Sequence, residues 1–283
     1  MTSTVLVSAA LAGAVAIAVT LLVERWGGRV GGVLGTVPTT IVPAAAGMAV
    51  GSSMASLESS LAIVPMGMFV NGVFLLVFLH VPERLRGGER LVLLQTTMLA
   101  LLVWVAFGSV MLFVAERLLS GVSGLVLAAA GSAGLGGLGV AVARRPRPAP
   151  AARRRPHPAE VGARGMAAAL AIGLAVHLAT LGHALVAGLA SVFPAIFLTT
   201  MVALWLAQGN AVPRGAAGPM LLGSTSVGVY ATVAIWLLPA LGLLVGSAVA
   251  WCAAVLGWTV PCSLWLNHRA AALDSSAQAQ EPQ

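Results

Sequence analysis

The segment Gly35-Thr-Val-Pro-Thr-Thr-Ile-Val-Pro43 places two prolines five residues apart, with Thr39 and Thr40 directly after the first. Proline removes a backbone donor and crowds the carbonyl four residues earlier, so Pro38 and Pro43 together oppose an unbroken helix. A second segment, Phe193-Pro-Ala-Ile-Phe-Leu-Thr-Thr200, repeats the theme with Pro194, Thr199 and Thr200. An interrupted apolar helix leaves N–H groups and carbonyls without internal partners. The N–H groups suit an anion and the carbonyls a cation, and threonine hydroxyls can serve either. This is the chemistry of holding a solute rather than of making bonds. The bland alternative is an ordinary kink whose threonines bond back to the preceding turn. Interruptions at matching places in two halves of a chain favour the solute site.

Other polar groups sit in equally apolar surroundings. Asn71 lies in Met68-Phe-Val-Asn-Gly72, and Gly223-Ser-Thr-Ser226 supplies Ser224, Thr225 and Ser226 ahead of Tyr230. An amide or a phenol at such depth needs a partner, which is either a neighbouring helix or a solute. Gly-Ser-Thr-Ser also has the look of a nucleophile loop. A serine nucleophile needs a general base within reach, and no second motif supplies one. The chain has no Lys, so it lacks a phosphate loop ending in Gly-Lys. Neither an enzyme nor a bound cofactor is expected.

Glu58, His177 and His183 form a third set, placed toward one face of the membrane as proton-coupling or gating groups, or as a divalent-cation site. His177 and His183 are six residues apart, about 240° around a helix, so they converge only if the helix ends near Gly182. The ten methionines, with Pro65-Met-Gly-Met68 among them, raise a soft-metal reading. No Cys-x-x-Cys or His-rich tract accompanies them, and Met is an ordinary core filler. No resident metal is therefore assigned.

The elements that must position these residues follow from composition. Of 283 residues, 59% are hydrophobic and 8% charged, and the mean hydropathy is +0.99. A soluble domain needs roughly a quarter of its residues charged, so the chain reads as an all-α polytopic membrane protein. Stretches long enough to span run over 4–23, 30–51, 60–80, 91–114, 119–143, 163–182, 186–208, 217–238 and 242–266, about nine transmembrane helices in all. The second and seventh carry the prolines. Cys252 and Cys262 are ten residues apart, about 15 Å along a helix, too far to bridge.

The 15 basic residues are all arginines, and Arg144, Arg145, Arg147, Arg153, Arg154, Arg155 and Arg164 crowd one short stretch. With the Pro-rich linker 144–162 placed in the cytoplasm, nine spans bring every arginine except Arg117 to that side. This pattern puts the N-terminus out and the C-terminus in. It also explains the net charge of +7 through anionic lipid headgroups rather than nucleic acid. The Lys-free, Ala-rich composition points to a GC-rich genome and a bacterial cytoplasmic membrane.

An internal repeat appears at an offset of 156, pairing Gly32 with Gly188, Pro38 with Pro194, Gly67 with Gly223, Gly72 with Gly228 and Phe74 with Tyr230. An odd number of spans separates the copies, so the second is inverted, giving a 4 + 1 + 4 plan. The expected organisation is a first membrane repeat with a linking fifth helix (1–143), the linker, a second repeat (163–267) and an unstructured tail (268–283). The expected function is secondary-active transport or export of a small polar solute or ion. The alternatives are a divalent-cation carrier, or a scaffold acting through its Arg-rich linker. A second copy of the chain is allowed as a partner.

Overall fold

The computed structural model describes residues 2–26, 37–144 and 157–278. Among them no strand occurs, and the α-helices are α1 (Thr2–Trp26), α2 (Ile41–Gly51), α3 (Met54–His80), α4 (Glu89–Leu118), α5 (Gly124–Ala143), α6 (Pro158–Thr180), α7 (Ala184–Ser191), α8 (Ala195–Gln208), α9 (Ala211–Ala254) and α10 (Val260–Gln278). Seven helical stretches are long and apolar enough to cross a membrane. Large side chains such as Leu102, Trp236 and Leu244 are exposed on their outer faces, as an integral membrane protein requires where lipid is the solvent.

Helix starts have local causes. Ser53 and Ser123 cap α3 and α5 by accepting from the backbone N–H groups of Ser56 and Val126. His157 and Glu160 form a reciprocal capping box at α6, with Pro158 at the first helical position. The linker expected over 144–162 is therefore shorter, because its last five residues are helical; 145–156 lie outside the described residues. The tail expected from 268 is helical to Gln278. Pro43 does not interrupt α2: it lies in the first turn, where N–H groups have no helical acceptor to lose.

The chain from Ala211 onward doubles back at Gly242, whose φ of +75° suits a residue without Cβ. Tyr230 Oη lies 3.1 Å from Ser247 Oγ, and the Trp258 indole donates to the Leu222 carbonyl at 2.9 Å. On a straight helix Tyr230 and Ser247 would stand about 25 Å apart. The outgoing arm (211–241) and the return arm (243–254 and α10) thus lie antiparallel. A π-helical turn, Val255–Thr259, holds Trp258 in the return arm.

The core is α3, α5 and the outgoing arm of α9. Small residues let the backbones close. A Cβ added to Gly72 would lie 3.5 Å from Leu221 Cδ1, and one added to Gly228 would lie 3.5 Å from Pro65 Cβ. Beside this core α1 and α6 run antiparallel. An added Cβ at Gly173 would meet the Ala9 Cβ at 3.2 Å, one at Gly13 the Ala169 Cβ at 3.2 Å, and one at Gly165 the Ile17 Cδ1 at 2.6 Å. The short α7 lies so close on α3 that a methyl at Gly188 would overlap the Ser60 carbonyl.

Candidate functional site

At both prolines the backbone makes the same turn. The Thr39 N–H donates to the Val37 carbonyl at 2.9 Å, and the Ala195 N–H donates to the Phe193 carbonyl at 2.7 Å. Each is a bond from residue i+2 to i around a central proline, an inverse γ-turn in which a fixed negative φ is no strain. Pro194 has φ −73° and ψ 36°. A helix follows each turn, α2 from Ile41 and α8 from Ala195. Before the second turn lies α7. The residues that precede the first, 27–36, are outside the described set and include Gly32 and Gly35.

The second turn is clamped from α3 and α4. Asn71, 2% exposed, donates from Nδ2 to the Val192 carbonyl at 2.7 Å, and its Oδ1 accepts from the Trp104 indole at 2.7 Å. Trp104 also stands edge-on to Phe193, ring centres 5.2 Å apart. In a continuous helix Val192 would accept from Ile196. Where the chain turns at Pro194 that carbonyl is freed, and the amide takes it. About three turns earlier on α3, Ser60 donates to the carbonyl of Ala184, the first residue of α7, at 2.8 Å. Asn71 was singled out by its polarity. Trp104, Val192 and Ser60 were not, although a tryptophan at mid-span carries a donor that needs an acceptor, and that signal could have found Trp104.

The hydroxyls divide. Thr199 bonds back to the Ala195 and Ile196 carbonyls at 2.8 and 3.1 Å, the arrangement of an ordinary helical threonine. Thr39, Thr40 and Thr200 are half-buried, while Pro38, Pro43 and Pro194 are buried. Ser224 bonds back to Leu221, Ser226 is fully buried, and the Tyr230 hydroxyl is shared with Ser247. Thr225 is 1% exposed and its hydroxyl has no hydrogen-bond partner. It faces α5, away from the two turns: an added Cβ on Gly136 would lie 3.5 Å from Thr225 Cγ2.

Glu58, His177 and His183 are each exposed. Glu58 lies beside Gly124 at the start of α5, whereas His177 is on α6 and His183 precedes α7. Among the described residues no three His, Cys, Asp or Glu side chains gather closely enough to hold a metal ion. The alternative of a divalent-cation site on these three residues therefore finds no such group among the described residues.

Two cavities lie among the described residues near these elements. One, of about 420 Å³, opens where α8 ends, lined by Glu89, Trp205, Gln208 and Asn210 among others. The Trp205 indole N–H is buried there without a partner. The other, of about 520 Å³, runs between α5, Thr225 and Trp258 and reaches Arg144. No protein-family model matches the chain, and comparison with curated proteins and with solved structures likewise returns no match.

Proposed function

We propose that the chain is a secondary-active transporter of a small polar solute or ion, working by alternating access around the interruptions at Pro38 and Pro194. The observation that carries this reading is the pair of γ-turns. Val37, Pro38 and Thr39 correspond, at an offset of 156, to Phe193, Pro194 and Ala195, and the same backbone bond recurs in both.

Reciprocal contacts support an inverted repeat at that offset. The Ala9–Gly173 contact becomes Gly165–Ile17, the Gly72–Leu221 contact becomes Gly228–Pro65, and Gly13 faces its own equivalent, Ala169. Corresponding helices that pack antiparallel on each other are what a twofold axis in the membrane plane produces. Counting the doubled-back stretch after Ala211 as two passes raises the seven long apolar stretches to eight, and the apolar α2 (Ile41–Gly51) falls in the ninth that the sequence predicts. Arg214 is ion-paired with Glu83 and bonded to the Leu79 carbonyl, and Arg269 donates to the Arg144 carbonyl. Arginines distant in sequence thus share ends of the bundle, in keeping with a cytoplasmic face rich in Arg and a C-terminus inside a bacterial membrane. The polar cavity at the end of α8 would be a vestibule on the path of the solute.

The reading is tested by thermal shift of the purified protein against a panel of small polar solutes and ions. A true substrate stabilises the folded state by mass action, by about 2.7 kcal/mol at a hundredfold excess over Kd. A solute that stabilises the native chain and not a Thr39→Val/Thr40→Val variant is expected. If every stabilising solute acts equally on both, the turns are not the site.

A further inference from the structure

We propose that the groove between α5 and the return arm of α9 and α10 holds one anionic phospholipid, its phosphate on Arg144 and Arg269 and one acyl chain laid toward Ser132. The inference rests on the membrane-spanning fold and not on transport, so it fails or stands apart from the function above.

The groove has the shape of a chain. From Ser132 to Arg144 it runs about 18 Å at the helical rise per residue. Its floor is glycine and alanine, and a Cβ added to Gly137 would meet nothing within 4 Å. One wall is the Trp258 ring, which the π-helical turn brings to within 2.9 Å of a Cβ placed on Gly136. Because the indole N–H is already given to the Leu222 carbonyl, the ring offers the groove an apolar face. π-helical turns of this kind recur at functional sites.

The charge lies at one end. Arg269 Nη2 donates to the Arg144 carbonyl at 3.2 Å while its guanidinium stands 5.1 Å over the Trp265 ring. The Arg269 guanidinium is therefore anchored where α5 ends, on the backbone of Arg144, which itself lines the groove. Arg144, exposed at the end of α5, lines the same groove, so both arginines lie at its charged end. Guanidinium groups match a phosphate in charge and geometry, and basic pockets between transmembrane helices take anionic headgroups. Deeper in the groove Thr225 is part of the lining; its hydroxyl is buried and unpartnered, and a rotation about Cα–Cβ would let it donate to a glycerol ester carbonyl. Phosphate, ester and hydrocarbon in that order describe a phospholipid.

The test is native mass spectrometry of the detergent-purified chain after exchange into vesicles of phosphatidylglycerol or of phosphatidylcholine, followed by re-extraction. One retained phosphatidylglycerol per chain is expected, with little phosphatidylcholine. Arg144→Gln with Arg269→Gln should weaken that retention about 30-fold, from the usual gain per basic residue at an anionic lipid surface. Gly137→Leu, which fills the groove, should remove the bound lipid of either kind. Equal retention of both lipids, unchanged retention in Gly137→Leu, or no retained lipid in the native chain would overturn the proposal. Conversion of a dimer to a monomer by Gly137→Leu, with no change in lipid, would assign the groove to a second copy instead. Should Gly137→Leu not fold, the arginine pair and Thr225→Val carry the decision, since neither alters the packing volume of the helices.

Discussion

Asn71 on α3 holds the carbonyl of Val192, 121 residues later, at 2.7 Å, and its own carbonyl is held by Trp104. A side chain that polarity alone marks as a solute ligand is thus engaged on both sides. Its work is to fix the turn at Pro194. At the offset of 156 that the proposed repeat implies stands Val227, whose side chain has no amide to offer the turn at Pro38. If the two turns are gates, the one at Pro194 is the stiffer.

Asn71→Leu should destabilise the protein by about 1–3 kcal/mol, because a buried indole N–H and a buried carbonyl both lose their partner, discounted for the modest value of such bonds measured within membranes. Thermal inactivation in detergent reads this. Trp104→Phe keeps the ring beside Phe193 and removes one bond, so its effect should be smaller. Asn71→Leu as stable as the native chain would mean that the clamp does not hold the turn.

Gly188→Ala should cost about 3 kcal/mol or more, since its methyl meets the backbone of α3 at Ser60 rather than the end of a flexible side chain. Gly137→Ala, which points into open space, should be within roughly 0.5 kcal/mol of the native chain. Denaturation midpoints of the two variants side by side test the close approach of α7 to α3.

The threonines should behave unequally. Thr199→Val ought to leave solute binding unchanged, because that hydroxyl bonds only to its own preceding turn. Thr39→Val/Thr40→Val and Thr200→Val should each weaken binding by roughly 5- to 150-fold per lost contact. Binding by the doubly substituted chain equal to that of the native one would take the turn at Pro38 out of consideration.

Cysteine pairs test the antiparallel register of α1 and α6. On a background with Cys252→Ala and Cys262→Ala, Ala9→Cys/Gly173→Cys and Gly13→Cys/Ala169→Cys should both form disulfides under mild oxidation. The Cβ separations of 3.2 Å need only a few tenths of an ångström of give to reach disulfide geometry. Ala9→Cys/Gly165→Cys, related by the 156-residue offset but not in contact, should cross-link poorly. Equal yields from all three pairs would reject the register.

Topology can be read in intact cells with single cysteines. Val50→Cys, exposed at the end of α2, should react with a membrane-impermeant maleimide added outside, and a cysteine at position 150 should not. External labelling at 150 would overturn the inside placement of the linker and the inversion drawn from it.

Composition determined the class of this protein, because 8% charged residues cannot cover a water-facing surface and long apolar runs close their backbone bonds only as helices. Local covalent facts carried further. A proline lacks an N–H wherever it stands, and the backbone makes a γ-turn at both Pro38 and Pro194; Gly242 permits a turn that few other residues would. Partner choice was not legible. These helices are apolar on every side, so no periodic face tells which neighbour each one meets. Only the tertiary structure put Val192 and Trp104 on Asn71, turned the Thr225 methyl toward α5, paired Tyr230 with Ser247 across the hairpin, and gave no metal-holding group to Glu58, His177 and His183 among the described residues. The physical reason is range: a residue's own conformational limits act within a turn or two, whereas the partner of a buried polar group is chosen by close packing between separate segments, as far as 121 residues apart for Asn71 and Val192.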